Sequence, residues 1–187
     1  MGRSFLVAAY GPEHLIFTGK KAKLRHHAMP GRESMRKIIL PPVLLVTCLV
    51  ATVAANWYLP EDNILKTVWL YGVTTKIGYL ILFIGIFLPI RSAMIFKQEE
   101  TNIIPYKSPD KMVSRGPFGF TRNPMYLGML LVILGVAALY GTVVGLLFSV
   151  LYFAVANWWY IPFEEAKMAN IFGDAFTDYS RRVRRWL

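Results

Sequence analysis

Apolar residues in this chain fall into long blocks, not into the alternation of strands or the single stripe of a surface helix. A membrane-spanning helix needs about 20 mostly apolar residues. Residues 38–59 supply the first such block and contain no charge. Pro41 and Pro42 fall in its first turn, where missing N–H groups cost least. A second block lies within residues 71–96, with Lys76 near one end, able to snorkel to the interface. Residues 125–140 form a third and 143–161 a fourth, separated only by Gly141 and Thr142. Two blocks joined that tightly predict a helical hairpin.

Composition fits the same picture. Hydrophobic residues make up 55% of the 187 residues and charged residues only 17%, against about 45–50% and about 25% in a soluble domain. The net charge of +10 would point to nucleic acid in a soluble protein. Here the basic residues sit between and beside the apolar blocks, so a membrane accounts for them and nucleic acid is not expected. Residues 1–37 hold eight Lys/Arg. Lys107, Lys111, Arg115 and Arg122 lie between the second and third blocks, and Arg181, Arg182, Arg184 and Arg185 close the chain. The opposite loops hold Lys66 beside Glu61 and Asp62, and nothing at Gly141. The positive-inside rule then predicts four spans with both termini and the 97–122 loop in the cytoplasm.

A rival reading takes Met35-Arg36-Lys37, the apolar run and Val53-Ala54-Ala55 as a signal peptide. It leaves three spans and forces a basic loop outside, whereas four spans raise no conflict. Residues 1–37 read as a basic arm, or in part as sequence upstream of the true start, and residues 38–187 as one membrane domain. The single cysteine, Cys48, excludes an intrachain disulfide. The histidines (His14, His26, His27) all precede the first block, so no metal site is expected within the membrane.

Chemistry concentrates at the cytoplasmic side. The loop 97–121 carries apolar residues among Pro105, Pro109, Gly116, Pro117 and Gly119, which predicts an ordered, folded-back segment. Asn123 suits the N-cap of the third helix and Pro124 its first turn, making that helix N-terminus a cradle for an anion. Glu164 and Glu165 follow the fourth block. On a helix they point about 100° apart, so one can face a site while the other meets solvent or a basic side chain. Near the end, Phe176, Tyr179, Val183, Trp186 and Leu187 share one stripe among the arginines, which predicts an interfacial helix drawn to anionic lipid headgroups.

The residues from about 98 onward, with the helix before them, resemble the isoprenylcysteine carboxyl methyltransferase and phospholipid methyltransferase superfamily, in its bacterial integral-membrane form. The resemblance rests on Arg122-Asn123-Pro124-Met125-Tyr126-Leu127-Gly128 opening a hairpin, Glu164-Glu165, Phe172-Gly173 and Asp178-Tyr179. It implies an all-α, multi-pass inner-membrane enzyme of about four spans that uses S-adenosylmethionine on a lipophilic acceptor at the cytoplasmic face. It places the cofactor on Asp110, Lys111, Met112, Val113, Phe118, Asn123, Pro124, Met125, Tyr126 and Glu164. Glu164 would take the cofactor's ammonium, Tyr126 and Phe118 its adenine or sulfonium, and Arg122 a carboxylate or an anionic substrate group.

Two positions depart from the family. Asn123 stands where the family has His, which argues against a general base there. Tyr160 stands where prenylcysteine enzymes have Arg, which argues for a neutral or zwitterionic acceptor over a prenylcysteine carboxylate. Other readings are a prenylcysteine-type carboxyl methyltransferase, a relative of the NADPH-dependent sterol reductases, and a non-enzymatic membrane scaffold.

Overall fold

The computed structural model describes residues 41–59, 68–100 and 111–187. The basic arm, the loop with Glu61, Asp62 and Lys66, and Asp110 lie outside the described residues. Helix α1 spans Pro41–Tyr58, α2 Val68–Gln98, α3 Pro124–Tyr140 and α4 Val143–Val155. A π-helical turn at Ala156–Tyr160 joins α4 to α5, Ile161–Phe172, and α6 covers Asp174–Arg182. Among the described residues regular structure is entirely helical, apart from one isolated bridge between Thr121 and Arg184.

Three helices are long and apolar enough to cross a membrane: Pro41–Tyr58, Gly72–Gln98 and the continuous Val143–Phe172. The third predicted block forms α3, shorter at 17 residues. It stops at Gly141, whose φ of 67° favours glycine. Thr142 then caps α4 by accepting a 3.0 Å hydrogen bond from the Gly145 N–H, so the hairpin forms as the sequence predicts.

Helices α2 and α3 lie against each other most closely. A Cβ on Gly85 would stand 2.7 Å from the Val132 nitrogen, and one on Gly128 would strike the Pro89 ring. Pro89 sits inside α2 and removes one donor from its ladder. Small residues opposite each other let the two backbones approach, as expected where lipid supplies no hydrophobic drive between helices. The outer face of α2 stays apolar and exposed at Leu80 and Phe83, and that of α4 at Val150.

Two readings need correction. The fourth apolar block is bounded at Ile161, while its helix, as the shared face of Tyr160 and Glu164 already requires, runs on through Pro162 to Phe172. The π turn is the reason. The Ile161 N–H reaches back five residues to the Ala156 carbonyl, widening the ladder just where proline would otherwise clash with it. The second correction concerns the C-terminal stripe. Helix α6 ends at Arg182, and Val183 turns extended. Phe176, Tyr179 and Val183 are buried against Met112, Met168 and Phe172, so protein rather than lipid covers that face.

Candidate functional site

The candidate site lies where the first turn of α3, the π turn, the start of α5 and the C-terminal strap meet. Tyr126, in the first turn of α3, is 5% exposed. Its hydroxyl donates a 2.8 Å hydrogen bond to Glu164 Oε1. Its ring stacks on that of Tyr160 with centroids 6.3 Å apart, and Tyr160 stacks in turn on Trp159. Tyr160 and Glu164 therefore both meet Tyr126, as their spacing on one helical face predicts.

Glu165 faces the other way. Its Oε1 accepts from Arg122 Nη2 at 2.8 Å and Nε at 3.0 Å, and its Oε2 accepts from Arg185 Nη2 at 2.5 Å. Arg122 Nη1 also donates to the carbonyls of Ser180 and Val183, each at 2.8 Å. The guanidinium is thus held between a carboxylate and the backbone of the strap.

The strap closes onto the segment ahead of α3 through further polar contacts. The Arg122 N–H donates to the Arg184 carbonyl at 2.9 Å, and Thr121 Oγ1 to that of Arg185 at 3.0 Å. Asn123 occupies the predicted N-cap position of α3, but its side chain makes no capping bond; Nδ2 donates instead to the Arg185 carbonyl at 3.1 Å. The anion cradle expected at this helix start is thereby partly covered by the chain's own end. Tyr179 donates to the Phe118 carbonyl at 2.7 Å, and Trp186 Nε1 to Asn157 Oδ1 at 3.0 Å. Burial pushes the Tyr179 phenol up to about 12, against the opposing pull of the Arg122 charge.

The residues assigned to the cofactor divide into groups. Tyr126 and Glu164 stand together beside Tyr160. Phe118 and Val113 pack with Ile95, and the Phe96 ring meets Phe118 edge-on at 5.0 Å. Met112 lies with Phe176 and Tyr179. Pro124 is buried, Met125 half-buried and Lys111 exposed at the rim. One glutamate was expected to meet solvent or a basic side chain, and Glu165 meets two, but the sequence did not name Arg122 and Arg185 as those partners. The one available signal was a run of arginines close to the end of a chain whose Glu pair sits at a helix mouth. Sequence reasoning also left out Tyr152, fully buried beside Tyr126 and Tyr160.

The sequence pattern of the phospholipid methyltransferase family matches residues 73–175, more than half of the chain. The chain belongs to that family. It is accordingly a membrane methyltransferase, and family members generally use S-adenosylmethionine. The match covers most of α2 and all of α3, α4, the π turn and α5, and so includes Tyr126, Tyr160 and Glu164. No curated protein matches the chain.

Proposed function

We propose that the protein crosses the membrane four times, with both termini cytoplasmic, and transfers methyl groups from S-adenosylmethionine to a lipophilic acceptor at the cytoplasmic face. The observation that carries this reading is the Tyr126–Glu164 pair stacked on Tyr160, in a chain of this family.

The donor set fits the cofactor. Glu164 is a half-buried carboxylate bonded to a neutral phenol, which suits it to the ammonium of an amino-acid moiety. The Tyr126 and Tyr160 rings suit a sulfonium or an adenine; a cation over an aromatic face gains about 0.5–2 kcal/mol. Asn123, Pro124 and Met125 lead into the turn that carries Tyr126, whereas Val113 packs with Ile95 and Phe118, and Met112 with Phe176 and Tyr179. The cofactor supplies an electrophilic methyl on sulfur. The chain's contribution is to orient the acceptor in line with it and to exclude water. Arg122 acts in this reading as a positioning residue, since its contacts run to Glu165 and the strap.

The topology follows from the basic loops and from α3 as a short fourth span. Its 17 residues reach about 25 Å, within what local thinning of the bilayer accommodates. A reporter fused after Leu187 should be active only in the cytoplasm, and activity only on the far side would refute this orientation. The exposed Arg181, Arg182 and Arg184 are well placed for anionic headgroups.

A prenylcysteine carboxylate is the less favoured acceptor, because Tyr160 offers no charge and Arg122 and Arg185 are both bound to Glu165. An NADPH-dependent reductase of the sterol type is not favoured, because the family matched is one of methyltransferases. Calorimetry in detergent separates these readings. S-adenosylmethionine should bind and NADPH should not, and Glu164→Gln should weaken binding by about 10- to 100-fold, the equivalent of about 1.5–3 kcal/mol for a charged hydrogen bond. Wild-type protein that gives no signal with S-adenosylmethionine would end the proposal.

A further inference from the structure

Among the described residues, the Tyr152 hydroxyl is the buried side-chain polar atom with no hydrogen-bond partner. Tyr152 is 0% exposed. An unpartnered buried hydroxyl costs about 1–3 kcal/mol, so phenylalanine would serve a purely structural core better. Such a group calls for an explanation.

Its surroundings point to one. Tyr152 belongs to the apolar cluster that contains Cys48, Tyr126, Ala156 and Tyr160, and it lies in electrostatic reach of Glu164. The π turn begins four residues after it, at Ala156, and π turns inside helices occur frequently at functional sites. Its depth narrows the ligand. Tyr152 is nine residues into α4 from Val143, or about 14 Å along the axis, so it lies within the apolar span, on the membrane side of Tyr160 and Glu164. A charged headgroup is expensive at that depth, whereas a small neutral group is not.

We propose that the Tyr152 hydroxyl is the hydrogen-bond partner for the neutral polar head of the lipophilic acceptor, a hydroxyl or thiol on an otherwise apolar molecule. This rests on the methyltransferase reading above and deepens it by naming the class of acceptor. It makes Tyr152 a specificity-determining residue at the membrane-buried end of the site, with Tyr126 and Glu164 at the cytoplasmic end.

The test compares wild type with Tyr152→Phe in detergent. Two measurements are made on each: S-adenosylmethionine binding by calorimetry, and the binding of decanol and decanethiol, with phosphatidylethanolamine vesicles as the charged-head comparison. Thermal unfolding is followed alongside. Wild type should bind the neutral probes in preference to the phospholipid. Tyr152→Phe should bind them at least about tenfold more weakly, the loss of one hydrogen bond of about 1.4 kcal/mol. It should keep its cofactor affinity and unfold at an equal or higher temperature. Equal binding of the neutral probes by both proteins overturns the proposal, as does wild type binding the phospholipid alone or none of the probes. A Tyr152→Phe protein that loses cofactor binding or stability shows a structural role and overturns it as well. Wild type that fails to bind S-adenosylmethionine removes the parent reading instead, which keeps the two failures distinct.

Discussion

Neutralising Glu165 should loosen the C-terminal strap without touching the cofactor. The carboxylate meets two guanidiniums, and the side chains of Glu165 and Arg122 are only 17% and 15% exposed. Arg185 is more open at 35%. Removing one partner of a buried ion pair costs about 3–5 kcal/mol, because the charge left behind stays desolvated. An exposed pair is worth at most about 1 kcal/mol. The Arg122 side of this site belongs to the first case and the Arg185 side lies between the two. Glutamine keeps the shape and one acceptor oxygen, so we expect Glu165→Gln to cost about 2–3 kcal/mol. For a chain of this size that lowers Tm by roughly 4–12 °C. The assay is thermal unfolding in detergent followed by tryptophan fluorescence, since Trp186 packs 5.0 Å from Phe153 and reports on the strap directly. Trypsin should cut faster at Arg181 to Arg185 as the strap releases. Calorimetry should find S-adenosylmethionine affinity nearly unchanged, the reverse of the Glu164→Gln pattern. An unchanged Tm together with unchanged proteolysis would refute the idea that this ion cluster holds the strap.

Two further outcomes are expected. Tyr160→Phe should reduce acceptor affinity or rate while leaving cofactor binding intact, and Tyr160→Arg should admit some use of a carboxylate acceptor through bidentate pairing; efficient methylation of a prenylcysteine analogue by wild type would count against both. Tyr179 is raised above its ordinary value near 10 to about 12, so its neutral form is favoured by folding. That stability is fully present below pH about 10 and is lost as pH rises toward 12; Tyr179→Phe should flatten the alkaline limb of an unfolding-against-pH curve, and a limb identical to wild type would show that another group controls it.

Some of this arrangement could be read from the sequence and some could not. The helices were legible because a long uncharged run has few physical solutions in lipid. The hairpin was legible because Gly141 and Thr142 are strong stop and start signals. The opposed directions of Glu164 and Glu165 followed from helical geometry alone. The helix through Pro162 was implied by Tyr160 and Glu164 sharing a face, but the π turn that lets it pass was not legible, since nothing local announces one. The strap was hidden for a different reason. Thr121 and Arg185 are 64 residues apart, and their contact depends on backbone carbonyls that carry no sequence signature. Arg122 was expected to meet a carboxylate, and the one it meets within the chain is Glu165.

The two adjacent glutamates differ in what holds them, and the proposed reading gives one a structural and the other a chemical part. Glu165 accepts from two guanidiniums, so its charge is compensated inside the fold and little is left to attract a cationic ligand. Glu164 accepts from a phenol, which orients the carboxylate without neutralising it. In the proposed reading a carboxylate held this way, within reach of Lys167, takes the cofactor's ammonium, and the aromatic rings beside it suit a sulfonium. The phase of α5 decides which glutamate takes which part, and the π turn sets that phase. An ordinary α-helical turn at Ala156–Tyr160 would rotate α5 relative to α4 and carry both carboxylates away from their present partners. The expanded turn, the division of roles and the position of Tyr160 are therefore one structural decision, made within five residues.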